Sequence, residues 1–93
     1  MKHQRHFDTT EAAQREASKI RKLIGALDRS VQLLNCDIVI EEKRTGISDH
    51  SDIAYPILAR MLAARRDNLK DTITALERRL STLDQAELVA EPA

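Results

Sequence analysis

Aromatic residues are almost missing from this 93-residue chain: one Tyr, one Phe and no Trp. Two glycines and two prolines leave too few turn residues for a multi-stranded sheet. One cysteine, Cys36, excludes an internal disulfide framework and suits a reducing compartment. Neither sign of charge prevails, because 15 basic side chains face 15 acidic ones. A protein devoted to holding nucleic acid ordinarily carries a basic excess, so that class is disfavoured from the start. Long apolar runs are absent as well. Ile38-Val39-Ile40 and Met61-Leu62-Ala63-Ala64 are the kind of run present, far short of the ~20 residues of a membrane span. No apolar stretch follows Met1–Phe7, so the N-terminus does not read as a signal peptide. The expected location is the cytoplasm, with no membrane partner.

What is abundant points one way. Ala, Glu, Lys, Leu and Arg fill 45 of the 93 positions, the composition of long helices and coiled coils. Leu, Ile, Val and Phe fill 23 of the 93 positions, above the level of a disordered chain. The expected fold class is all-α.

The apolar spacing is that of a heptad seam. Ala13, Ala17, Ile20, Ile24, Leu27, Val31, Leu34 and Ile38 follow one another at steps of four and three. Asp8 and Glu11 form a capping-box pattern that predicts a start near residue 8, and Gly46 predicts the stop. Gly25 leaves one alternative open: a break there would make a three-helix bundle, although the seam keeps its phase across it. A second seam runs through Tyr55, Ala59, Leu62, Arg66, Leu69, Ile73, Leu76, Leu80 and Leu83, with Arg66 its only charge. The boundaries read as a flexible tail at 1–7, a helix at about 8–45, a turn at about 46–52, a helix at about 53–83 and a flexible acidic tail at 84–93. Two long helices on a short connection must run antiparallel, as a coiled-coil-like helical hairpin.

Each helix carries more apolar residues than one seam needs. Leu33, Cys36, Ile40 and Ile47 form a second stripe about 160° around the first helix from its seam. Ile53, Ile57, Met61 and Ala64 form another, about 120° around the second. Both lie in the half nearest the turn. A helix that is apolar on two sides must be sandwiched. Left in water, seven large or medium side chains (Leu33, Cys36, Ile40, Ile47, Ile53, Ile57, Met61) would cost on the order of 10 kcal/mol, a small domain's whole stability. They are therefore the expected interface, with a second copy completing a four-helix bundle as a homodimer or with a heterologous protein. Cys36 reads as a buried small hydrophobe, and its place on that stripe leaves room for a cysteine pair across a two-fold axis.

Reactive groups are sparse. His3 and His6 could share a metal only if helical, and they have no third ligand. The turn Asp49-His50-Ser51-Asp52 gathers two carboxylates and an imidazole, but capping and turn formation explain them. No catalytic, cofactor-binding or metal residues are assigned, and no enzyme activity is expected. Residues 60–80 carry Arg60, Arg65, Arg66, Lys70, Arg78 and Arg79 against three acids. That basic face supports an alternative, a small nucleic-acid-associated regulator, though no aromatic interleaves it. The leading expectation is a non-enzymatic protein–protein interaction or self-assembly module.

Overall fold

The structure is a computed structural model. It describes the backbone of residues 2–90 and the side chains of residues 10–85. The chain is a helical hairpin. Helix α1 spans Lys2–Thr45, helix α2 spans Ile57–Ala90, and no strand occurs among the described residues. The rod measures 66 × 19 × 17 Å, with a radius of gyration of 20.2 Å. A compact globule of this length would have a radius near 12 Å.

Helix α1 continues through Gly25 without a break, so the three-helix alternative is not adopted. It also begins well before residue 8, which leaves Asp8 inside the helix rather than capping it. Residues 2–7 contain no Gly or Pro. A capping box contributes about 1 kcal/mol, and nothing upstream halts a helix already nucleated and propagating. The stop is where the glycine requires it. Gly46 takes φ +74°, and its amide donates to the Glu42 carbonyl at 2.8 Å. Thr45 Oγ1 donates to the carbonyls of Glu41 and Glu42, further closing the last turn.

Helix α2 starts at Ile57, four residues after the expected position. Pro56 is the reason. Its ring excludes the preceding Tyr55 from helical backbone angles, while its own carbonyl accepts the first bond, from Arg60 N at 3.1 Å. Residues 49–55 instead form consecutive tight turns, Asp52 N to Asp49 O and Tyr55 N to Asp52 O. At the other end α2 runs through Asp84 to Ala90, because Gln85–Ala90 is free of helix breakers. Met1 and residues 91–93 of the expected tails lie outside the described residues.

The seams meet as the heptad spacing requires. Ala17, Ile20, Val31, Leu34 and Ile38 of α1 are buried, as are Ala59, Ile73 and Leu83 of α2. Two clusters anchor the rod. At the open end Ala17, Ile20 and Leu83 are surrounded by Ala13, Ile24, Leu76 and Leu80. At the turn Ile38, Tyr55 and Ala59 are surrounded by Ile47, Leu62 and Ala63. Ala59 is fully buried and lets the helices approach closely. Ion pairs Arg79–Glu16 at 2.7 Å and Arg21–Asp84 at 3.5 Å bridge the two helices at the open end. Arg66, the charge in the second seam, is half-buried. Its guanidinium donates to Asn35 Oδ1 across the interface and to Asp67 Oδ1 on its own helix, both at 3.1 Å.

Candidate interaction surface

Helical rotation places the second stripes. Leu33, Cys36 and Ile40 lie about 160° to 220° around α1 from buried Ile38. All three are exposed, Leu33 at 67% and Ile40 at 62%. On α2, Ile57 and Met61 lie about 160° and 200° around from buried Ala59, and they are 75% and 64% exposed. Cys36 is thus not buried within the hairpin.

Two expected members stand elsewhere, because the helical period was carried past the helix ends. Ile47 follows Gly46, where the chain has turned, and it packs half-buried against the Ile38–Tyr55–Ala59 cluster. It belongs to the hairpin's own core. Ile53 lies in the turn before α2 and is fully exposed at the tip. Conversely, Val39, Leu58 and Leu23 are substantially exposed and were not assigned to a stripe. Val39 was visible in the Ile38–Ile40 run. It extends the α1 patch, where Asn35, Cys36, Val39 and Ile40 line one shallow apolar depression. A second groove crosses the helices between Ser30, Leu33 and Leu34 on α1 and Arg65 and Leu69 on α2.

Because each seam faces the other helix, each stripe faces away from it. The Leu33–Cys36–Ile40 stripe and the Ile57–Met61 stripe therefore lie on the outer sides of the two helices, with Leu33 also bordering the groove shared with Arg65 and Leu69.

The turn is held by polar side chains. Tyr55 is buried, and its hydroxyl donates to Glu42 Oε2 at 2.8 Å. His50 Nε2 lies 3.3 Å from the same carboxylate oxygen, and its ring stands 4.8 Å from that of Tyr55. Arg60 lies over the tyrosine ring at 5.1 Å and donates to the carbonyls of His50 and Asp52. Burial, and then the bond to Glu42, push the Tyr55 phenol above its ordinary value. Asp49 accepts from both the amide and the hydroxyl of Ser51, which holds its carboxyl below the usual aspartate range. Asp52 accepts from Ala54 N. Asp49, Ser51 and Asp52 thus shape the turn with their side chains, while His50 faces Glu42. Beside Glu42 in α1, Glu41 is buried and accepts from Arg44, a hydrogen bond that holds the Glu41 carboxyl below its ordinary value.

The basic face is partly engaged in the same way. Arg60 is tied to the turn, Arg66 to Asn35 and Asp67, and Arg79 to Glu16. Among the described residues, no group of three or more His, Cys, Asp or Glu is placed to hold a metal. The side chains of His3 and His6 lie outside the described residues. No helix among the described residues is long and apolar enough to cross a membrane. Neither a family model, nor a curated protein, nor a solved structure matches the chain.

Proposed function

We propose that this chain is a non-enzymatic protein–protein interaction module that works by self-assembly in the cytoplasm, through the outer faces of its turn-proximal half. The observation that carries the reading is the exposure of Leu33, Ile40, Ile57 and Met61 at helical spacing on one half of a small hairpin. At ~1.5–3 kcal/mol for each large side chain taken out of water, covering them is worth on the order of 10 kcal/mol before the costs of association. The surface supports the same conclusion. The chain exposes 7264 Å², whereas a compact monomer of 10.5 kDa would expose about 5,400 Å². A heterologous helical protein could occupy the same faces. The nucleic-acid alternative draws less support, since Arg60, Arg66 and Arg79 are committed within the hairpin. The single cysteine is the support for a reducing compartment.

The test is mass against concentration, by light scattering and sedimentation velocity. Assembly beyond 10.5 kDa that is lost in Ile40→Glu/Met61→Glu, with helicity retained, supports the reading. A wild-type chain that stays monomeric at every concentration overturns self-assembly. Retention on generic DNA that falls steeply with salt would favour the alternative.

A further inference from the structure

We propose that copies of this chain join head to tail: the Leu33–Cys36–Ile40 face of α1 in one copy seats antiparallel on the Ile57–Met61 face of α2 in the next. This rests on the self-assembly reading and replaces the closed four-helix bundle with a heterologous contact.

Direction comes first. The two stripes lie on the outer sides of α1 and α2, so a two-fold contact centred on one of them leaves the other in water. Joining the α1 face of each copy to the α2 face of its neighbour covers both kinds.

Level comes second. Within the hairpin Asn35 meets Arg66, and Ala17 and Ile20 pack on Leu83. By the same pairing Ile40 stands level with Arg60, between Ile57 and Met61, and Cys36 stands level with Ala64. Two copies laid side by side without axial shift therefore bring the stripes together, with Ile40 of one entering the gap between Ile57 and Met61 of the other. Side chains four apart on α2 leave such a gap for a knob from a facing helix.

Charge favours copies meeting this way over an antiparallel α1-to-α1 pair, although the head-to-tail contact also brings Lys43 within one turn of the neighbour's Arg60. On α1, Arg29 precedes Leu33 by one turn on the outer face, and Lys43 follows Ile40 by one turn. An antiparallel α1-to-α1 contact centred on Cys36 puts Arg29 against Lys43. A parallel α2-to-α2 contact about a two-fold axis sets Arg60 and Arg65, which flank Met61, each against its own copy. Like charges facing each other oppose docking. The head-to-tail contact instead sets Arg29 level with Asp71 of the neighbour. It also brings Asp37 toward Arg65. Arg65 shares a groove with Ser30 and Leu33, and Asp37 lies two turns beyond Ser30 on that same side of α1. Each copy ends with one uncovered stripe, so the assembly grows beyond a dimer unless its rotation closes a ring.

Complementing variants test this. Leu33→Glu/Ile40→Glu blocks only the α1 face; Ile57→Glu/Met61→Glu blocks only the α2 face. The wild type should form species larger than a dimer whose size rises with concentration. Each variant alone should sediment as a 10.5 kDa monomer with helical circular dichroism. Their equimolar mixture should double that mass and stop there, because it holds one intact face of each kind. A variant that assembles alone as well as wild type overturns the head-to-tail contact, as does a mixture that stays monomeric while the wild type assembles. Both results leave self-assembly standing. A monomeric wild type overturns both. Serine substitutions at Ile40 and Met61 repeat the mixing experiment should a glutamate variant lose its helicity, with the same outcomes deciding.

Discussion

Ile38 and Ile40 are two residues apart on the same helix, and replacing each with Ala removes the same three carbons. Ile38 is 5% exposed and packs on Tyr55 and Ala59. Losing three buried carbons at ~0.8 kcal/mol each costs about 2.5 kcal/mol. The residual cavity adds to this, but the shell is a single layer of two helices and can partly collapse. The expected total is about 3 kcal/mol, in the lower half of the usual range. Ile40 points the other way, and Ala is the better helix former by a few tenths of a kcal/mol. In an isolated chain Ile40→Ala should therefore change stability by less than about 0.5 kcal/mol. Urea unfolding followed by circular dichroism measures both, at the lowest readable protein concentration and again at high concentration. The Ile38 penalty should not depend on concentration. The Ile40 penalty should grow with it, as mass action adds the stability of a covered stripe. Equal penalties at low concentration would refute the seam, for then α2 does not cover the face that carries Ile38.

The two glycines should respond oppositely to Ala. At Gly25 a Cβ meets only the Arg29 guanidinium at 3.7 Å, so the substitution should stabilise by up to ~1 kcal/mol. At Gly46, with φ +74°, it should destabilise by about 1–2 kcal/mol in the same melts. Arg66→Leu should hold or raise stability, because its partners Asn35 and Asp67 are exposed and are not orphaned in a core; a loss above about 2 kcal/mol would mean the charge is needed where it is. Stability should also fall at both pH extremes. Tyr55 titrates above its ordinary 10.0 in the fold, so its contribution is complete below pH 10 and disappears as pH rises through the folded value. Glu41 and Asp49 titrate below 4.5 and 3.8, so theirs is complete above those values and is lost as pH falls through the folded ones. Tyr55→Phe should abolish the alkaline loss, and a persisting loss would point to another group.

Much of the architecture was legible because burial against one partner helix imposes a period on the chain. Steps of four and three from Ala13 to Ile38 could mean little else, and the buried residues follow them. Helix ends were less legible. A cap is worth about as much as one or two residues of propensity, so the capping box at Asp8 did not stop α1. Pro56 did carry the signal for the start of α2, in the restriction it places on Tyr55. The stripes were legible where the helix continues, at Leu33, Cys36, Ile40, Ile57 and Met61. The period failed at Ile47 and Ile53, whose backbones have left the helices. The bond from Tyr55 to Glu42 could not be read at all, since no local pattern records which side chains meet across a turn.

Both α1's N-terminal half and α2's C-terminal half sit at the open end, and this gives the hairpin a mechanical direction. A load that pulls Thr10 and Gln85 apart peels the helices from each other one rung at a time. The exposed pairs Glu16–Arg79 and Arg21–Asp84 give way first, each worth no more than about 1 kcal/mol. The Ala17–Ile20–Leu83 cluster follows, and the Ile38–Tyr55–Ala59 cluster beside the turn yields last. The peeling force is set by a single rung at any moment. A load that slides one helix lengthwise past the other must shear every rung together, including Arg66 against Asn35. The same two helices are a soft clasp across the rod and a stiff strut along it.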